Sequence, residues 1–442
     1  MKRDETMVNA YVPGLGNLPP EDAALIARRQ RLLGPAYRLF YETPVHLVRG
    51  AGVWLYDAAG KAYLDCYNNV ASLGHCHPHV TAATATQAAT YASHTRYLNE
   101  VVLDCAEKLL SHFPPELSQV MFTCTGSEAN DLALRIAFAQ TGGTGIIVTQ
   151  NAYHGVTHTV AALSPSLGTG VALGQHVRTI PAPDSACLTG DVGLAFALEV
   201  QNAIDDLQRH GIKPAVLIVD TVFSSDGVFA NPAGFLAPAI AAIRRAGGLF
   251  IADEVQPGFG RTGGHWWGFQ RHGLIPDMVS LGKPMGNGYP VAALVLRPEV
   301  LAEFGAKGRY FNTFGGNAVA AATAIAVMEV IEHENLLQNA TTVGACMAEG
   351  LRALAGRHSA LGPLRAAGLF LGQDITRDGQ PDAGQAARIV NALRDAGVLI
   401  SATGPKGHTL KIRPPLILQK AEADIFLTKL DQVLTPDQVL TR

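Results

Sequence analysis

Charge is what this 442-residue chain has least of. Asp, Glu, Lys and Arg make up only 16% of it, the formal net charge is −3, and no basic stripe appears. That sets nucleic acid aside as a partner. So sparse a charge also points to a surface covered by a partner subunit. No apolar run reaches the roughly 18 residues that a membrane helix needs. The start, "MKRDETMVNAYVPGLG", has basic residues with no apolar stretch behind them, so neither a membrane span nor a signal peptide is expected. Cysteine is sparse too. Cys66, Cys76, Cys105, Cys124, Cys187 and Cys346 lie scattered in mostly apolar surroundings, which predicts small buried thiols in a reducing cytosol. Repeats, low-complexity tracts and an obvious linker are also lacking.

The chain does have the composition of a folded globule, with 48% apolar residues. "PEDAALIARRQRLL" reads as a helix in an N-terminal arm, and "VWLYDAAGKAYLDCYNNV" alternates like a hairpin turning at Ala59-Gly60. "HPHVTAATATQAATYA" predicts a helix opened by Pro78. "QVMFTCTGSEANDLALRIAFAQTGG" reads as strand, tight loop, helix and glycine stop. Short apolar runs follow, "TGIIVTQ", "AVLIVDTVF", "LFIADEV", "DMVSLGK" and "VAALVLR", with a helix, "FLAPAIAAIRRAGG", among them. Runs apolar on both faces that alternate with helices predict an α/β fold, a mostly parallel central sheet wrapped by helices. One long helix is expected over "AVAAATAIAVMEVIEHENLL". The expected division is an N-terminal arm with part of a small domain (1–75), a large domain (76–320), and a C-terminal α+β portion (321–442) completing the small domain.

Three strand ends carry chemistry. "TGSEAN", Thr125 to Asn130, joins a strand to a helix. Gly126 lets the backbone approach an anion, the helix start offers unpaired N–H groups, and Ser127 adds a hydroxyl. The same letters also fit an ordinary capping box. "FIADEV" ends its strand in Asp253 and Glu254, where ligands of α/β sheets bind. Asp253 suits a cationic ring nitrogen, while the plainer alternative has these acids capping the turn or pairing with Arg261. Lys283, in "SLGKPMGNG", closes a third strand. Desolvation there would free a neutral amine to form a Schiff base with an aldehyde. A phosphate loop, a partner for a pyridinium and an amine for an aldehyde together describe pyridoxal 5′-phosphate. "GHCHPH" invites a metal, but three histidines around a proline turn, with no acidic residue nearby in sequence, make a poor ligand set, and no metal is expected.

The chain from about Val53 onward resembles the class III, fold type I pyridoxal-phosphate enzymes of the aminotransferase type. "YLDCYNNVASLGHCHP", "TGSEANDLALR", "YHG", "ADEVQPGFGRTG", "LGKPMGNGYP", "NTFGGNAVA" and "KIRPPL" carry the resemblance. It implies Lys283 as Schiff-base lysine and proton-transfer base, and Asp253 as partner of the pyridinium nitrogen. Gln256 would bond the phenolic oxygen, Val255 and Tyr153 would sandwich the ring, and Gly126 and Ser127 would bind the phosphate. Thr313 would reach that phosphate from the neighbouring subunit, making a homodimer or homotetramer with its active sites at the interface.

Relatives that handle α-carboxylates commonly place an arginine before the paired prolines. In that register this chain has Lys411, with Arg413 two residues on. Asp220 stands where relatives carry a glutamate, and Asn68, Asn69 and Arg96 add polarity where relatives are often apolar. An ammonium is no equal substitute for a carboxylate clamp. The pattern looks most like the phospho-lyase branch, which acts on phosphoethanolamine or 5-phosphohydroxylysine. It implies a cytoplasmic enzyme that eliminates phosphate from a small phosphorylated amine, with Arg96, Asn68, Asn69, Lys411 and Arg413 as substrate-binding candidates. An ω-aminotransferase acting on an amine and pyruvate is the alternative. A non-catalytic cofactor-binding protein would not need both Lys283 and Asp253.

Overall fold

The computed structural model describes residues 7–435 apart from 15–17, 186, 187 and 189, so Cys187 lies outside the described residues. The hairpin forms where alternation predicts it. Strands β1 (Leu47–Ala51), β2 (Trp54–Asp57) and β3 (Ala62–Asp65) run antiparallel in sequence order. The main sheet follows, with β4 (Gln119–Thr123), β5 (Gly145–Thr149), β6 (Val177–Ile180), β7 (Pro214–Asp220), β8 (Leu249–Asp253), β9 (Met278–Leu281) and β10 (Ala292–Leu296). Its spatial order is β4-β10-β9-β8-β7-β5-β6. The pairs from β6 through β9 are parallel, and β10 runs antiparallel to both β9 and β4. β5 and β10 are buried at every residue because helices cover both faces, which is why they read as unbroken apolar runs. The helix Gly126–Thr141 packs on β9 and β10, and Ala237–Arg245 packs on β7 and β8.

The C-terminal part contributes β11 (Leu361–Ala367), β12 (Phe370–Arg377), the short β13 (Gln380–Pro381), β14 (Val398–Leu399), β15 (Ser401–Thr403) and β16 (Thr409–Ile412). β11, β12, β16 and β15 form an antiparallel sheet in that order. β14 instead pairs parallel to β3, with Val398 opposite Leu64, so the two chain ends share a sheet. Tyr41 Oη strengthens this joint by donating to Ile400 O at 3.0 Å.

Two expectations need correction. The long helix after Asn317 is really two helices, Ala318–His333 and Leu336–Ala355. Asn335 breaks it in the left-handed conformation (φ 51°), which asparagine tolerates. The thiols are not uniformly buried: Cys66 and Cys105 are, Cys124 and Cys346 are half-buried, and Cys76 is exposed. Among the described residues no helix is long and apolar enough to cross a membrane.

Candidate active site

A cavity of about 310 Å³ opens at the ends of β4, β8 and β9 and brings together Gly126, Ser127, Tyr153, Asp253, Val255, Gln256 and Lys283. Each strand hands its functional residue to the turn that follows. After β4, Thr125 caps the helix Gly126–Thr141 by accepting from Glu128 N at 3.2 Å, and Glu128 Oε2 accepts in return from Cys124 N at 2.7 Å. The helix start is capped on both sides, but Glu128 reaches the backbone one residue before the cap, so this is not the ordinary capping box. The anion cradle at this start needs glycine, since a Cβ at Gly126 would stand 2.7 Å from Val255 Cγ2. Ser127 Oγ accepts from Val156 N at 3.1 Å, leaving its own O–H to donate.

Asp253 closes the deep end of the cavity. Its Oδ2 takes Asn130 Nδ2 at 3.0 Å and lies 2.7 Å from His154 Nδ1, while Oδ1 takes Val255 N at 3.1 Å. Asn130 also donates to His154 O at 2.8 Å, fixing the pair in place. Asn130 and His154 lie inside the motifs "TGSEAN" and "YHG", but nothing in those letters signals that they meet Asp253. Asp253 does not pair with Arg261, and neither does Glu254. Glu254 is fully buried and caps the turn, accepting from Thr221 Oγ1, Gly268 N and Phe269 N at 2.7–2.8 Å. Burial pushes its carboxyl up to about 7. Arg261 donates instead to the carbonyls of Leu369 and Pro414.

Lys283 stands beside this floor, its Nζ 6.0 Å from the centroid of Tyr153. Burial lowers its pKa from the ordinary 10.5; Asp253 opposes that shift and Arg413 reinforces it. A desolvated amine, a buried carboxylate and a glycine cradle that a Cβ would fill match the aldehyde, ring nitrogen and phosphate of pyridoxal phosphate. Tyr153 and Val255 both line this cavity.

A second cavity of about 470 Å³ also reaches Lys283, and Asp65, Tyr67, Asn68, Asn69 and Arg413 line it. Asn69 is buried and donates to Gln256 O at 2.9 Å, whereas Asn68 turns to cap Val70 N at 3.1 Å. Arg413 donates through Nη1 to Gln256 Oε1 and lies 4.6 Å over the ring of Tyr67. Lys411, on β16, is buried near Phe370 and borders neither cavity. It makes no hydrogen bond or ion pair among the described residues. Burial, helped by Arg413, holds its ammonium well below 10.5. Asp220 and Asp226 oppose that shift, but Asp220 forms no ion pair with Lys411; its two carboxylate oxygens cap their own turn, on Val222 N and Ser224 N at 3.0 Å each.

Arg96 and Thr313 lie elsewhere. Both are exposed; Arg96 stacks 3.6 Å over Phe311, and Phe314 beside Thr313 is 70% exposed. The histidines of "GHCHPH" do have acidic partners, one from ten residues upstream and two from far along the chain. His75 meets Asp65 at 2.8 Å, His77 meets Glu334 at 3.2 Å and His79 meets Glu329 at 2.7 Å. Three separate carboxylates draw the imidazoles apart.

The family model for class III aminotransferases matches residues 40–434. The chain belongs to the class III aminotransferase family. Its fold is fold type I, and pyridoxal 5′-phosphate is the cofactor of this class III enzyme. Its relatives include an alanine–glyoxylate aminotransferase 2-like protein of Drosophila melanogaster, 39% identical over 93% of this chain and 86% of that one. Ethanolamine-phosphate phospho-lyase homolog 1 of Caenorhabditis elegans is 37% identical over 93% of each. Among solved structures, a phospholyase from Arthrobacter in complex with phosphoethanolamine superimposes with a TM-score of 0.90 at 42% identity, covering 93% of this chain and 99% of that one.

Proposed function

We propose that this class III enzyme is a phospho-lyase that converts ethanolamine phosphate and water to acetaldehyde, ammonia and inorganic phosphate. The observation that carries the reading is the pair of buried cations near Lys283, Arg413 and Lys411, neither of which has a carboxylate partner among the described residues. A buried charge without a counterion is costly, and a dianionic substrate group would supply one. The phosphoethanolamine complex of the similar Arthrobacter phospholyase supports the same class of substrate.

Bound pyridoxal phosphate supplies an electron sink for the carbon that bears the substrate nitrogen. The chain's residues do the rest. Asp253, held by His154 and Asn130, would present its carboxylate to the ring nitrogen. Gly126 and Ser127 anchor the cofactor phosphate with N–H and O–H donors. Lys283 Nζ, whose hold on a proton burial weakens, takes the proton from carbon. Arg413, with Lys411 behind it, stabilises the departing phosphate as the carbon–oxygen bond breaks. Thr313 sits on an exposed stretch and would serve the site of a partner subunit in a homodimer.

A second reading keeps one observation on its side. The Arg413 guanidinium can clamp a keto-acid carboxylate, which suits an ω-aminotransferase. The test is to incubate the cofactor-loaded protein with phosphoethanolamine and no keto acid. Stoichiometric phosphate and acetaldehyde with turnover support the lyase. No release, together with alanine formed from pyruvate and a simple amine, overturns it.

A further inference from the structure

Two cavities reach Lys283, and one hydrogen bond, Arg413 Nη1 to Gln256 Oε1, links a residue lining one to a residue lining the other. Gln256 lines the cofactor cavity and Arg413 lines the neighbouring one. The Gln256 backbone is tied from the same side, because Asn69 Nδ2 donates to its carbonyl. A carboxamide has one acceptor and one donor end. Arg413 has donors only, so it claims the acceptor end, and the Gln256 amide cannot rotate without facing a donor with a donor. Its Nε2 is then the end left to the cofactor cavity.

We infer that Arg413 is a positioning residue that locks the Gln256 amide with its N–H donor towards the cofactor's phenolic oxygen. This rests on the placement of that oxygen at Gln256, and it holds for a lyase or an aminotransferase alike. A donor at that position favours the ionised oxygen and makes it less basic. Arg413 thereby acts on the cofactor through Gln256, without touching it.

The prediction concerns the pH midpoint of the bound cofactor's absorbance, read without any amine substrate. Gln256→Leu removes the donor and raises the midpoint by about one unit, the size of one hydrogen bond to a charged group. Arg413→Met raises it by a similar amount in the wild-type background and by nothing further in the Gln256→Leu background. Equal shifts in both backgrounds would mean that Arg413 acts by its charge or by general packing, and would overturn the inference. An unmoved midpoint in Gln256→Leu would instead remove the phenolic-oxygen placement on which it rests. If Arg413→Met does not fold, Arg413→Lys serves in the same cycle. It keeps the charge but gives up the planar fork, so a smaller upward shift is expected, again absent beside Gln256→Leu. No shift with Arg413→Lys, or an equal one in both backgrounds, counts against the inference. Because no substrate is present, these outcomes are independent of whether ethanolamine phosphate turns over.

Discussion

Lys411→Met separates two consequences of the same ammonium. The side chain is 7% exposed, beside Phe370, with no ion pair or hydrogen bond among the described residues. Burial sets its pKa well below 10.5, Arg413 and Lys283 push the same way, and Asp220 and Asp226 oppose them. Between that lowered value and 10.5 the unfolded chain holds a proton that the folded chain has lost. Wild-type stability therefore rises with pH across this window. Methionine matches the stem's volume and carries no charge, so the variant lacks that slope. At neutral pH it is expected to be more stable by about 1–4 kcal/mol, the range seen when buried charge gives way to apolar groups of similar size. Loss of the attraction to Asp220 and Asp226 trims the gain. Function moves the other way. Lys411 borders neither cavity, so it acts on a bound phosphate only through its field, and kcat/KM for phosphoethanolamine falls by about two- to tenfold. Urea unfolding from neutral to alkaline pH, beside phosphate-release kinetics, reads both effects. A variant less stable than wild type at neutral pH with the wild-type slope would refute the electrostatic argument. Unchanged kinetics would refute the role of Lys411 towards phosphate.

Gly126→Ala places a Cβ 2.7 Å from Val255 Cγ2, so cofactor binding, followed by absorbance titration, is expected to weaken by at least about tenfold, near 1.4 kcal/mol. Asp226→Asn tests a buried acid outside the cavity. Burial raises Asp226 to about 6, so wild-type stability falls as pH rises from about 4 to about 6. Asparagine can still accept from Asn151 N and can donate to Thr149 Oγ1, so melting curves of the variant should lose that fall and gain up to about 3 kcal/mol at neutral pH. His154→Phe strips Asp253 of a buried partner at 2.7 Å; a destabilisation of about 3–5 kcal/mol in chemical unfolding is expected, with weaker cofactor retention on dialysis.

The parts legible in the sequence are those that lie within one turn of a strand end. Gly126, Asp253 and Lys283 each follow an apolar run, and the alternation of such runs with helices orders the sheet that assembles them. Contacts between distant segments left no local trace. Arg413 and Asn69 converge on Gln256 across 157 and 187 positions. The carboxylates that meet His77 and His79 come from the helix after Asn317 and its end. Burial was equally silent: the letters treat Arg96 and Lys411 alike, yet one cation stacks at the surface and the other is buried on β16 near Phe370. The antiparallel setting of β10 was hidden because a strand covered on both faces carries no directional signature. The helix break at Asn335 was outweighed by apolar spacing on either side.

The pairing of β14 with β3 has a meaning for biosynthesis. While the ribosome is making this chain, β3 emerges early, yet its parallel neighbour at Val398–Leu399 is translated near the end. The nascent chain must carry an open strand edge through most of its synthesis, a liability for pairing with other copies. Arg413 is translated later still, so the pocket acquires its last wall only when the C-terminal sheet leaves the exit tunnel.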